Sequence, residues 1–320
     1  MLNIDRHMGC LLGLAVGDAL GATNEFMPAH HAPEVREMIG GGVFNLPAGA
    51  WTDDTAMALA MADSLLVGRF NLRDQMENYA RWKARGDFIW SRFCFDCGGQ
   101  TSGAIARYGD LGVVPQHPSQ SEKCGNGSVM RLAPAPMRYA GHSRRIAAKF
   151  SADSSLPTHD SVLCWAACAW LGRILHAALN GEGRTGMIAA SQESLAEFTQ
   201  HMPLHQHAQL VTLLESDVVA AMPRKSLNPT GYVLDTLLVA WWSFLTTDTF
   251  EEAVVAATSM GGDADTIGAV VGQIAGAHYG AAGIPPRWLE KLVWRQHIAD
   301  VATKLYSAAA RAIPVPTLDA

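Results

Sequence analysis

Apolar residues recur at three- and four-residue spacing along almost the whole chain, as at Met57, Met61 and Leu65. That repeat lines one face of an α-helix. It predicts helices over 8–22, 54–67, 72–84, 100–108, 127–139, 143–152, 158–179, 190–200, 206–221, 230–246, 249–260, 265–280 and 294–311. Strict two-residue alternation is scarce, and Gly40–Leu46 carries too much glycine to read as a strand. Turn-rich breaks fall near 27–50, 111–127, 180–186 and 223–230, none long or polar enough for an interdomain linker. The expectation is all-α: one compact multi-helix domain spanning residues 1–320.

Two helices stand out by their small residues. Gly9, Gly13, Gly17 and Gly21 are spaced by four, and so are Gly268, Gly272, Gly276 and Gly280. On a helix this spacing makes a smooth ridge on one face. A helical glycine costs about 1 kcal/mol against alanine, so the two ridges point to close backbone approach in the core. Each lies beside acidic residues: Asp18 and Glu25 for the first, Asp263 and Asp265 for the second. Packed centrally, such helices would hold those carboxylates rigidly.

Composition narrows the class. Of 320 residues 49% are hydrophobic and 17% charged, which describes a globular chain with a large interior. The net charge is −6 and the Lys and Arg residues are scattered, so no nucleic-acid partner is expected. There are six cysteines. Cys164 and Cys168 sit in an apolar helical stretch and read as core thiols, and Cys94-Phe95-Asp96-Cys97 has no second pair at zinc spacing. Met8–Val16 and Ile267–Tyr279 fall short of the about 20 apolar residues that span a bilayer. No membrane span is expected, and the location expected is cytoplasmic.

The chemistry concentrates in two acidic clusters far apart in the chain. Thr52-Asp53-Asp54-Thr55 and Asp263-Ala264-Asp265-Thr266 each place two carboxylates beside threonine hydroxyls ahead of a helical run. Hard oxygen ligands suit Mg²⁺ or Mn²⁺, and the absence of His or Cys from either cluster argues against zinc. The alternative is two ordinary acidic helix N-caps that never meet. Further positions carry weaker signals. Glu25 is either a surface glutamate or a site acid. Asp96 is either a helix cap or a carboxyl for proton transfer. Gly125-Asn126-Gly127-Ser128 opens a helix in the manner of a phosphate-holding loop. His159 and Tyr232 are either structural residues or contacts to a nucleotide.

In order along the chain, Gly13–Ala22 with Glu25-Phe26-Met27, then Thr52-Asp53-Asp54-Thr55, then Gly125-Asn126-Gly127 with Met130-Arg131, then Gly261-Gly262-Asp263-Ala264-Asp265-Thr266 resemble the ADP-ribosylglycohydrolase family. Within it they are most similar to the bacterial ADP-ribosyl-(dinitrogen reductase) hydrolase branch. The resemblance implies an all-α fold with a binuclear Mg²⁺ or Mn²⁺ site in a central cleft. By position it makes Thr52, Asp53, Asp54, Asp263, Asp265 and Thr266 the ligands of the two ions. It places Glu25 and Asp96 at the catalytic centre, Gly125, Asn126, Gly127 and Ser128 on the diphosphate, and His159 and Tyr232 beside the nucleotide.

The implied activity is hydrolysis of the N-glycosidic bond of ADP-ribosylated arginine on a protein, releasing ADP-ribose. A second reading is an immunity protein that neutralises an ADP-ribosyltransferase by occlusion, alongside or instead of hydrolysis. The helical terpenoid synthases offer a rival enzyme class, but Asp53-Asp54-Thr55-Ala56-Met57 lacks the last aspartate of their DD-x-x-D pattern.

Overall fold

The fold, a computed structural model, describes residues 2–200 and 202–311. Met1, His201 and 312–320 of the expected 1–320 domain lie outside the described residues. In chain order the helices are α1 (Ile4–Gly21), α2 (Asp53–Val67), α3 (Leu72–Arg85), α4 (Gly99–Leu111), α5 (Pro134–Arg138), α6 (Arg144–Asp153), α7 (Val162–Leu179) and α8 (Gly183–Ser191). They continue as α9 (Ala196–Thr199), α10 (Leu204–Leu214), α11 (Ser216–Ala221), α12 (Val233–Leu245), α13 (Phe250–Thr258), α14 (Ala264–Tyr279), α15 (Pro286–Lys291) and α16 (Arg295–Ala310). Among the described residues there is no strand, only the isolated bridges Gly41–Leu46, Ser119–Ser161 and Gly125–Tyr232. The all-α expectation holds.

The departures have local causes. The helix expected over 127–139 is reduced to α5, with turns from Gly127 to Arg131. The Arg131 guanidinium donates to the Gly127 carbonyl, taking the acceptor that a helical N–H four residues on would use. Pro134 and Pro136 then fix the short helix that follows. The run expected over 206–221 breaks at Glu215, whose backbone (φ −95°, ψ 71°) separates α10 from α11. The helix expected over 190–200 is only α9 after the last residues of α8, and periodicity missed α15 and most of α8. It also overlooked α7 as an apolar run long enough to cross a membrane; 94% of that 18-residue segment is buried inside the bundle, which makes it a core helix.

The centre of the bundle is α1 against α14, packed antiparallel through the two glycine ridges. A Cβ placed on Gly9, Gly13 or Gly17 would lie 2.2, 2.3 or 1.9 Å from the carbonyl oxygen of Gly276, Gly272 or Gly268 respectively. Gly21 faces Ala264 in the same way, at 2.2 Å. Gly280 departs from the ridge: it is the C-cap of α14, with φ +77°, and faces the Asp5 carboxylate. The antiparallel pairing sets the C-terminal end of α1 beside the N-terminal end of α14. Asp18 and the segment leading to Glu25 therefore meet Asp263 and Asp265.

Candidate active site

Thr52 is the N-cap of α2, yet its side chain makes no capping hydrogen bond. The cap comes from α1. Asp18 accepts from the Thr52 N–H at 2.9 Å, the Thr52 hydroxyl at 2.9 Å, the Thr55 N–H at 3.0 Å and the Thr55 hydroxyl at 2.6 Å. Burial pushes the Asp18 carboxyl up to about 6, against the lowering effect of those four bonds. Because Asp18 serves the helix end, Asp53 and Asp54 remain free for other partners. Asp263 is likewise the N-cap of α14 without a side-chain cap bond. The reading of two acidic caps that never meet is excluded. Asp18→Ala is expected to lower folding stability by about 2–4 kcal/mol, because it leaves buried donors at the α2 terminus unpaired. Urea unfolding checks this; a loss below 1 kcal/mol would contradict the cross-helix cap.

The carboxylates then converge. The Thr52 hydroxyl lies 2.9 Å from Asp18 Oδ1, 3.0 Å from Asp54 Oδ2 and 3.3 Å from Asp265 Oδ2. It has one proton to share among three carboxyl groups. Asp18, Asp54 and Asp265 each offer an oxygen within 4.8 Å of the other two, and so do Glu25, Asp96 and Asp265. Asp265 belongs to both trios. Burial raises the carboxyls of Asp53, Asp54 and Asp265 well above the ordinary range, with neighbouring carboxylates adding to the effect.

No lysine or arginine forms an ion pair with any of these acids among the described residues. Glu25 Oε2, Asp54 Oδ1 and Asp265 Oδ1 are buried with no hydrogen-bond partner. Buried anions without cationic partners are costly, and an all-oxygen donor set of this kind fits a hard divalent cation.

A cavity of about 260 Å³ opens over the cluster, lined by Glu25, Asp53, Asp96, Asp263, Asp265 and Thr266. Gln100, Gly125, Asn126, Gly127 and His159 also line it. Thr52 and Asp54 are fully buried and lie behind the lining residues. Glu25 is buried, not a surface residue. Asp96 does not cap α4, whose N-cap is Gly98; it holds a left-handed backbone (φ +54°) that an aspartate tolerates better than most side chains.

The Gly125–Ser128 loop is tied to the acids through Asn126, whose amide donates to Asp263 Oδ2 at 2.7 Å and to the Thr236 hydroxyl at 2.9 Å. The Gly125 N–H is taken by the Gln100 side chain and the Asn126 N–H by the Gly231 carbonyl. Gly127 and Ser128 keep N–H groups without a protein acceptor among the described residues. Two of the expected nucleotide-side residues do not line this cavity. Ser128 has a buried side chain. The Tyr232 ring lines a neighbouring groove of about 150 Å³, and its hydroxyl donates to Gln209 on α10 at 2.8 Å.

Sequence reasoning set Asp18 beside the acids through its glycine ridge but gave it no role of its own, and it did not name Gln100 as a site residue. The role of Gln100 depends on a contact with residue 125 that no local pattern encodes.

The class this defines is an all-helical protein with a buried carboxylate cluster whose oxygen donors fit divalent cations, opening into a glycine-lined cavity. The family model described as ADP-ribosylglycohydrolase matches residues 2–314, and the chain belongs to that family. It is 36% identical over 318 residues to ADP-ribosylarginine hydrolase Tri1 of Pseudomonas putida (strain GB-1), covering 99% of this chain and 81% of that protein. It is also 36% identical over 294 residues to the ADP-ribosyl-(dinitrogen reductase) glycohydrolase of Rhodospirillum rubrum, covering 90% of each. A solved structure described as an ADP-ribosylglycohydrolase-related protein complex superposes with a TM-score of 0.80 at 38% identity, covering 96% of this chain and 98% of that one.

Proposed function

We propose that the protein hydrolyses the N-glycosidic bond between ADP-ribose and an arginine side chain of a modified protein, releasing ADP-ribose and restoring the arginine. The observation that carries this reading is the set of unpartnered buried carboxylate oxygens under one cavity with the glycine loop. The name of the Pseudomonas putida relative supports the arginine linkage, and that of the Rhodospirillum rubrum relative supports an ADP-ribosylated protein as the substrate. Two Mg²⁺ or Mn²⁺ ions, held by Thr52, Asp53, Asp54, Asp263, Asp265 and Thr266, would offset the clustered charge and polarise hydroxyl or water oxygens.

The remaining chemistry belongs to the chain. Gly127 offers an N–H group on the cavity wall for the diphosphate. Asp96 faces the cavity with its carboxyl pushed up to about 7, by burial first and then by the Asp18 and Asp263 charges. A carboxyl at that position can exchange a proton with water in the cavity. The Glu25 carboxyl is pushed up to about 9 by burial, then by Asp96 and Asp263. As water bonds to the anomeric carbon and the carbon–nitrogen bond breaks, Asp96 and Glu25 take the proton from water and return one to the leaving guanidine nitrogen. The anomeric carbon carries oxocarbenium character at the transition state.

An ADP-ribosyltransferase enters only as the enzyme class that must make this substrate. The six free thiols support the cytoplasmic location. Incubation with an arginine-ADP-ribosylated protein is expected to release ADP-ribose, to stop on chelation and to resume with Mg²⁺ or Mn²⁺. Absence of release at saturating metal overturns the reading.

A further inference from the structure

Arg131 is fully buried and has no carboxylate partner among the described residues. Its Nε donates to the Tyr79 hydroxyl at 3.1 Å, and its guanidinium lies 4.6 Å from the centre of the Tyr79 ring. Nη1 donates to the Gly127 carbonyl, and Nη2 donates to the Thr158 hydroxyl at 2.6 Å. The Thr158 hydroxyl lies 2.8 Å from His159 Nδ1. An arginine donates and never accepts, so the Thr158 oxygen is an acceptor toward Arg131. Its own proton finds one acceptor among the described residues, His159 Nδ1. That nitrogen is therefore unprotonated, and the neutral ring carries its hydrogen on Nε2.

His159 lines the cavity, and its Nε2 lies 3.3 Å from where a Cβ of Gly125 would stand and 3.0 Å from that of Gly127. Burial and the nearby Arg131 charge hold the imidazole well below its usual range, so it stays neutral. We infer that Arg131 and Thr158 are positioning residues: their relay fixes His159 as an Nε2–H donor to a substrate diphosphate oxygen beside the Gly125–Gly127 loop. The same guanidinium holds the Gly127 carbonyl, so one buried cation orients both the loop and the imidazole. The substrate half of this inference rests on the proposed function; the tautomer half stands without it.

The test is ¹⁵N NMR of histidine-labelled protein, with the His159 signal assigned against His159→Gln, together with calorimetry of ADP-ribose binding to the Mg²⁺-loaded protein. The wild type is expected to show the Nε2–H tautomer. Thr158→Val, checked for folding by its thermal melt, is expected to populate the other tautomer. It should weaken ADP-ribose binding about tenfold and raise KM more than it lowers kcat. Thr158→Ser, which keeps the hydroxyl, is expected to restore all three. An Nδ1–H tautomer in the wild type overturns the relay, and so does a folded Thr158→Val whose tautomer is unchanged; an altered tautomer with unchanged affinity upholds the relay and overturns the contact from Nε2–H to the diphosphate. A wild type that shows the Nε2–H tautomer but binds no ADP-ribose upholds the relay and overturns the substrate reading instead.

Discussion

Asp54→Asn is expected to make the metal-free protein more stable and the enzyme inactive. Asp54 is fully buried, its Oδ1 has no partner, and its carboxyl is raised by burial and then by Asp18 and Asp263. A carboxyl raised in the fold above its unfolded value near 3.9 costs stability as pH climbs past that value, because the folded state resists ionisation. The neutral amide removes that cost, and the expected gain at neutral pH in chelator is about 1–3 kcal/mol. The same change removes a ligand. In the wild type, a cation at a hundred times its Kd adds about 2.7 kcal/mol. In Asp54→Asn this metal-linked rise should largely vanish, and turnover should fall at least ~100-fold. Thermal melts with EDTA and with Mn²⁺, run beside an ADP-ribose release assay, read both effects. A variant that is less stable in EDTA, or that keeps the full metal-dependent rise, would show that Asp54 is a structural residue.

Gly17→Ala is expected to be the most damaging single methyl in the α1–α14 ridge. Its Cβ would stand 1.9 Å from the Gly268 carbonyl oxygen and 2.4 Å from the carbonyl carbon. Both atoms are backbone, so relief requires α1 and α14 to separate along their shared ridge. Overpacking of this kind costs about 3 kcal/mol or more. Gly272→Ala, 2.0 Å from the Gly13 carbonyl oxygen, should behave alike. Gly103→Ala on α4 is the control, since the nearest atom to its new Cβ is the end of the Arg107 side chain at 3.8 Å. There the gain in helix propensity should stabilise by up to about 1 kcal/mol. Urea unfolding of the three variants gives the comparison. Gly17→Ala at wild-type stability would mean that the ridge does not set the distance between the helices. Metal affinity should fall with it, because Asp18 follows Gly17 directly and Asp265 lies in the first turn of α14.

The helical nature of the chain was legible because 3.6-residue periodicity is a local property. So was the glycine ridge, since a run of costly residues at one spacing needs a packing reason. The expected helix over 127–139 failed because a side chain, Arg131, took the carbonyl that the backbone ladder required. The resemblance puts Tyr232 beside the nucleotide, but its hydroxyl turns toward Gln209, a direction set by the position of α10.

By itself the sequence determined most of the helices, the hardness of the ligand set and the candidate acids, because each depends on residue type and short spacing. The tertiary structure decided which acids share a cluster, that Asp18 caps a helix other than its own, and which N–H groups of the glycine loop remain free. Those facts depend on the antiparallel contact of α1 with α14, where atoms far apart in the chain come within bonding distance. Local periodicity carries no information about that distance.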